Sequence, residues 1–155
     1  MRDIIKYGSI IIVMIMISCG SKKDYSFTSA EVALVSSSGY ETITLRSTGY
    51  GESKGESIKN AEISAFKNLF FRGIPSSNFS KPLIDIDETK ATSKNQSYFD
   101  NFYNKRMKTF ISSSYQSTPF QKKGGIYATT VDLKINVSIL KRDLEENGVI
   151  RKFGL

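Results

Sequence analysis

The chain has 155 residues, with 22 basic and 15 acidic side chains and a formal net charge of +7. It contains no histidine and a single cysteine, Cys19. This composition excludes Ser-His-Asp hydrolysis, Cys-His catalysis and histidine-ligated zinc sites, because each needs side chains that the chain lacks.

Residues 1–18 have the pattern of a lipoprotein signal peptide. Arg2 and Lys6 supply a short positive region, an apolar run from Ile10 to Ile17 follows, and the run stops at Ser18-Cys19-Gly20. In such signals a small residue precedes a cysteine that is acylated and becomes the first residue of the mature protein. The run is too short for a transmembrane helix, which needs about 20 residues. The alternative is an ordinary secretory signal or a short membrane anchor with an incidental cysteine.

Acylation of Cys19 predicts a chain that is anchored to a membrane and has no free thiol. Aspartate directly after the cysteine tends to retain Gram-negative lipoproteins in the inner membrane, so Gly20 predicts the outer membrane, with the domain facing the periplasm. Residues 19–29 are polar and predict a tether, whereas residues 30–155 have the length of one domain. The exported location argues against nucleic acid as the partner of this basic chain.

Two strands are predicted next, from Val32 to Ser36 and from Tyr40 to Thr48. Ile43 and Leu45 fall on one face of the second strand, and Gly49-Tyr50-Gly51 is expected to end it. Those glycines do not fit a dinucleotide-binding fingerprint, because Lys54 stands where the third glycine would be.

Ser53 and Glu56 have the spacing of a capping box and predict the start of an amphipathic helix. The helix is expected to end at Gly73, and Ala61 and Ala65 mark where its backbone can approach a sheet closely. Residues 74–96 show no apolar period and predict a long loop, of which residues 76–96 are expected to add little to the core and to be able to contact a partner. Its acidic run, residues 85–88, is expected to be solvated; a calcium site is the alternative.

An aromatic stripe at helical spacing predicts a second helix over residues 97–105. Such a stripe is more often core than a binding platform, and both interpretations remain open. The candidate partner contacts in this region are Tyr98, Phe99, Lys105 and Arg106.

Residues 127–140 alternate strictly between apolar and polar and predict a half-buried antiparallel strand. The apolar positions, expected to form the core face, are Val131, Leu133, Ile135, Val137 and Ile139. A short helix over residues 140–147 follows. The predicted class is α+β, with an antiparallel sheet of about four strands and two or three helices packed on one face, after the N-terminal signal peptide.

Three stretches together resemble a family of small bacterial outer-membrane lipoproteins, itself similar to the N-terminal domain of flagellar assembly protein T. They are Thr48-Gly49-Tyr50-Gly51, the helix that carries Ala61, Ala65 and Leu69, and Tyr127-Ala128-x-x-Val131 leading into a short helix. The resemblance implies a compact β-α-β-β-α unit and supplies no catalytic residues. Residues 74–96 depart from the family's pattern.

Three function classes follow from these patterns. The first is a non-enzymatic lipoprotein that scaffolds or assists an outer-membrane or periplasmic assembly, with no cofactor and an unidentified envelope protein as partner. The second is a periplasmic binding module for a glycan, peptidoglycan or lipid ligand. The third is a hydrolase, which would need two carboxylates from Asp85, Asp87, Glu88 and Asp100 in one cleft.

Overall fold

The computed structural model describes residues 31–152, in which five antiparallel strands form one sheet. The strands are β1 (Val32–Ser38), β2 (Thr42–Gly51), β3 (Ile111–Gln116), β4 (Gln121–Lys123) and β5 (Ile126–Asn136). Their order is β1-β2-β5-β3, and β4 also pairs with β5, beyond the end of β3. The sheet is therefore four positions wide. This confirms the predicted antiparallel α+β class.

Helices lie between β2 and β3 and after β5. They are α1 (Lys54–Phe71), α2 (Glu88–Lys94), α3 (Gln96–Asn101), a π-helix (Phe102–Arg106), a 3₁₀ turn (Met107–Phe110) and α4 (Val137–Glu146). The longest of them, α1, packs across β2 and β5. The predicted second helix exists, but it is divided between α3 and the π-helix.

The core face of the sheet confirms the alternation seen in the sequence. Ile43, Leu45, Leu133 and Ile135 are fully buried, and Ile135 lies between Ile43 of β2 and Ile111 of β3. Successive side chains of a strand point to opposite faces, so one apolar face is enough to hold the sheet against the helices.

The strand over residues 127–140 was predicted too long. β5 ends at Asn136, whose side-chain oxygen accepts a hydrogen bond from the Ile139 N–H at 3.1 Å and caps α4. This cap turns the chain into a helix. Val137 is still buried, but Ile139 is 43% exposed, so its predicted place in the core face is wrong.

β2 continues through Gly49 and Tyr50 and ends at Gly51, so the prediction that this triplet breaks the strand after Thr48 is wrong; all three residues pair with β5 in regular register. Glycine at position 49 is needed because α1 lies directly above it. A Cβ there would be 2.1 Å from the carbonyl oxygen of Ser57 and 2.3 Å from the amide nitrogen of Ala61. The Ser47 hydroxyl also donates to the Ala61 carbonyl at 2.7 Å. The predicted close approach at Ala61 is confirmed.

Both predicted ends of α1 are confirmed. The Ser53 hydroxyl accepts from the Glu56 N–H at 3.1 Å, and the Glu56 carboxylate accepts from the Glu52 N–H at 2.9 Å. At the other end Gly73 has φ of +76° and donates to the Asn68 carbonyl. Glycine adopts this left-handed conformation at low cost.

The prediction that residues 76–96 add little to the core is wrong. Phe79, Ile84 and Ala91 are at most 2% exposed and belong to the core, and the segment contains α2. Its apolar residues have no regular spacing because the chain wraps around the end of α1 instead of continuing in a helix or strand. The signal peptide, Cys19 and the 19–29 tether lie outside the described residues.

Candidate interaction surfaces

Most of the aromatic stripe is core. Phe99 and Phe102 are 1% and 0% exposed, and they pack with Phe66, Phe70 and Phe110 at ring-centroid distances of 5.2–6.2 Å. A ring buried in this way is not available to a partner. The choice of Phe99 as a contact residue is therefore not supported by its position, since helical spacing alone does not distinguish a buried stripe from an exposed one.

Tyr98 and Arg106 converge on one carboxylate of α4. The Tyr98 hydroxyl donates to Asp143 Oδ2 at 2.8 Å, and the Arg106 guanidinium donates to Asp143 Oδ1. Burial and this acceptor raise the pKa of Tyr98 well above its ordinary value. The two side chains therefore tie α3 and the π-helix to α4. Their partner could not be found from the sequence, because Asp143 is 45 residues from Tyr98 and 37 from Arg106.

Lys105, the remaining predicted contact, is exposed and lines a cleft between α1 and the π-helix. The cleft has a volume of about 320 Å³. Its lining residues are Gly55, Ile58, Lys59, Tyr103, Asn104, Lys105, Met107 and Lys108. The contribution of Lys59 could not be predicted from the sequence, since nothing in the local pattern places it beside residues 103–108.

Three lysines and no acidic residue line this cleft, hereafter the lysine cleft. Lys59 Nζ lies 3.5 Å from Asn104 Oδ1, and Lys108 Nζ lies 2.5 Å from Glu62 Oε1. Glu62 is fully buried, and its second oxygen has no hydrogen-bond partner among residues 31–152. Within the same residues Lys59 and Lys105 form no salt bridge. The cleft therefore has an excess of positive charge.

The π-helix determines which side chains reach the lysine cleft. Its wider turn buries Phe102 in the core while Tyr103, Asn104 and Lys105 line the cleft. Such short π-helical stretches often occur at functional sites. The Tyr103 hydroxyl is buried and unpaired among the described residues, and burial together with the nearby Glu88 carboxylate raises its pKa.

A second network lies on the opposite, polar face of the sheet. Asp132 of β5 is fully buried there by its partners: Arg46 Nε and Nη2 donate to its two oxygens at 2.8 and 2.7 Å, and the Tyr115 hydroxyl donates at 2.9 Å. The Arg46 guanidinium holds the pKa of Asp132 below its ordinary value. The network joins β2, β5 and β3. A polar groove of about 250 Å³ beside it is lined by Arg46, Thr48, Thr130 and neighbouring residues.

The acidic run of residues 85–88 contributes to the fold. Asp87 caps α2 by accepting from the Thr89 N–H at 2.9 Å, and Glu88 pairs with Lys67 at 2.7 Å. Among residues 31–152, no three acidic or thiol side chains are grouped so as to hold a metal ion. No helix in that range is long and apolar enough to cross a membrane.

Comparison with known proteins adds no further information. No family model matches the chain, and no curated protein and no solved structure matches it significantly.

Proposed function

We propose that this chain is a non-enzymatic, lipid-anchored lipoprotein of the cell envelope, which scaffolds or assists an assembly at the periplasmic face of the outer membrane. The signal at Ser18-Cys19-Gly20 supports the anchor. The small α+β domain that follows supplies the part that contacts the assembly.

The proposal that the chain is not an enzyme is supported mainly by the ion pairs that its buried and half-buried carboxylates form. Glu62, Asp132 and Asp143 each pair with a basic side chain from another element of the fold. A catalytic acid or base must present an oxygen to a substrate within hydrogen-bond reach, and the one oxygen of Glu62 that lacks a partner is buried away from solvent. Carboxylates held in cross-element pairs instead fix helices and strands in place, which suits a rigid scaffold.

The lysine cleft favours a second candidate, a binding module for a glycan, peptidoglycan or lipid ligand. It is the larger of the two cavities described above, and its side chains are held by regular elements on both sides. Ligand sites of small domains are concave and combine an apolar floor with a few polar groups, as this cleft does.

Two measurements test the anchor and the scaffold separately. Radiolabelled palmitate should enter the native protein and not the Cys19→Ser variant, while both retain the same far-ultraviolet circular dichroism spectrum. Label that persists in the variant would contradict the anchor.

Crosslinking in intact cells, followed by capture of the chain, should recover a defined set of envelope proteins with the native protein and lose it with Cys19→Ser. Recovery of glycan or lipid without protein would contradict the scaffold and support the binding module. Equal protein capture by both forms would show that the anchor is not needed for assembly.

A further inference from the structure

We propose that the lysine cleft binds a phosphate group carried on a small apolar or sugar body. The inference depends on the geometry of the cleft and not on the lipid anchor. It goes beyond the scaffold role, because it assigns a ligand chemistry to a site that the scaffold does not need.

The charge of the cleft selects an anion. Lys59 and Lys105 approach it from α1 and from the π-helix, and neither is neutralised by a carboxylate of residues 31–152. Lys108, the third lysine, also lines the cleft and has a side chain that is 65% exposed, but its ammonium pairs with Glu62. The ammonium groups of Lys59 and Lys105, held on separate elements, together create a positive potential in the cleft.

The number of cations favours phosphate over a monocarboxylate. The planar fork of arginine matches both carboxylate and phosphate, whereas lysine acts as a point charge and is a common ligand of phosphate. All the cations that line the cleft are lysines, and the nearby Arg106 is held by Asp143. A doubly charged tetrahedral group can contact several ammonium groups at once, which a monocarboxylate cannot do as well.

The remaining lining residues select what the phosphate is attached to. Ile58 and Met107 give the cleft an apolar part, and the Asn104 side chain supplies an amide at its edge. A volume of about 320 Å³ is at the small end of ligand sites. Inorganic phosphate alone would leave the apolar part unused, so an organic phosphate is expected to bind more tightly.

The test is a titration of the isotope-labelled full chain in nonionic detergent micelles, followed by amide nuclear magnetic resonance shifts. The soluble probes are hexyl phosphate, inorganic phosphate and hexanoate. The lipid probe is the same micelle doped with phosphatidylglycerol, with phosphatidylcholine as its neutral control. Saturable shifts at Gly55, Asn104 and Lys105 are expected with hexyl phosphate and not with hexanoate.

The variant Lys59→Gln/Lys105→Gln should weaken this binding about 25-fold, at about fivefold for each lysine. The matched control Lys90→Gln/Lys94→Gln removes the same charge from exposed positions outside the cleft and should change it less than about twofold. If the double cleft variant fails to fold, Lys105→Gln alone carries the comparison, because Lys105 is exposed.

The probes separate the sources of the phosphate. Saturation by hexyl phosphate alone identifies a soluble phosphorylated ligand, whereas cleft shifts that appear only with phosphatidylglycerol identify a lipid headgroup. Equal weakening in the cleft and control variants would overturn the site in favour of nonspecific charge attraction. Absence of saturable cleft shifts with every phosphate probe would also overturn it, without bearing on the anchor or the scaffold.

Discussion

Gly49→Ala is expected to be the most damaging single-methyl change in the sheet. The added Cβ would lie 2.1 Å from the Ser57 carbonyl oxygen and 2.3 Å from the Ala61 amide nitrogen. Both neighbours are helix backbone, so relief requires α1 to move away from β2 by more than about 1 Å, given an optimal carbon contact of about 3.5 Å. That movement would also stretch the hydrogen bond from Ser47 to Ala61. Overpacking of this kind costs about 3 kcal/mol.

Thermal unfolding followed by circular dichroism measures this cost. A loss of about 3 kcal/mol corresponds to a fall of roughly 10 °C in melting temperature for a domain of this size. Gly55→Ala is the matched control, since a Cβ at position 55 meets nothing within 4 Å and the residue is helical. This variant should be stabilised by about 0.5 kcal/mol. If Gly49→Ala melted within about 2 °C of the native protein, the close packing of α1 on β2 would be refuted.

Three further changes test the register, the wrapped segment and the polar face. Ile135→Asp should cost about 4 kcal/mol by burying an unpaired charge, whereas Lys134→Asp on the exposed side should cost less than about 0.5 kcal/mol; similar urea midpoints for the two would contradict the strand register. Phe79→Ala should cost about 3 kcal/mol in the same assay, whereas a dispensable loop would lose almost nothing. Because the folded-state pKa of Asp132 lies below 3.8, its stabilisation is present above that pH and lost as the pH falls through the folded-state pKa. The gap in unfolding free energy between native protein and Asp132→Asn should therefore shrink on acidification, and a gap that widens would contradict the pairing.

Local patterns were enough to predict most elements of this fold. Three signals each reflect a constraint that acts within a few residues, so each can be predicted from the neighbouring residues in the sequence. They are the alternation over residues 131–135, the capping box at Ser53 and the glycine at position 73. The end of β5 could not be read in this way. Val137 and Ile139 continue the alternation, but the cap formed by Asn136 starts a helix before it is complete.

The candidate site depended on contacts that span the sequence. Lys59 and Lys105 meet at one cleft, and Asp132 is buried on the polar face only because Arg46 and Tyr115 cover it. A sequence period assigns a face to a residue, but it does not identify the side chain that will lie opposite. Tyr98 and Arg106 are predicted as partner contacts because their side chains can donate hydrogen bonds. In the fold both side chains donate to the Asp143 carboxylate instead.

The wrapped segment shows why an aperiodic stretch can still be part of the core. A helix leaves its last carbonyl groups without partners within the helix, and α1 ends at Phe71. The Leu83 N–H donates to the Leu69 carbonyl at 3.1 Å, and the Ile84 N–H donates to the Phe70 carbonyl at 2.9 Å. The segment thus completes the hydrogen bonding of α1 and covers its end with Phe79 and Ile84. The apolar spacing of the segment follows the shape of that end and has no regular period. Because the two hydrogen bonds join the segment to the last turn of α1, both should open together in hydrogen exchange.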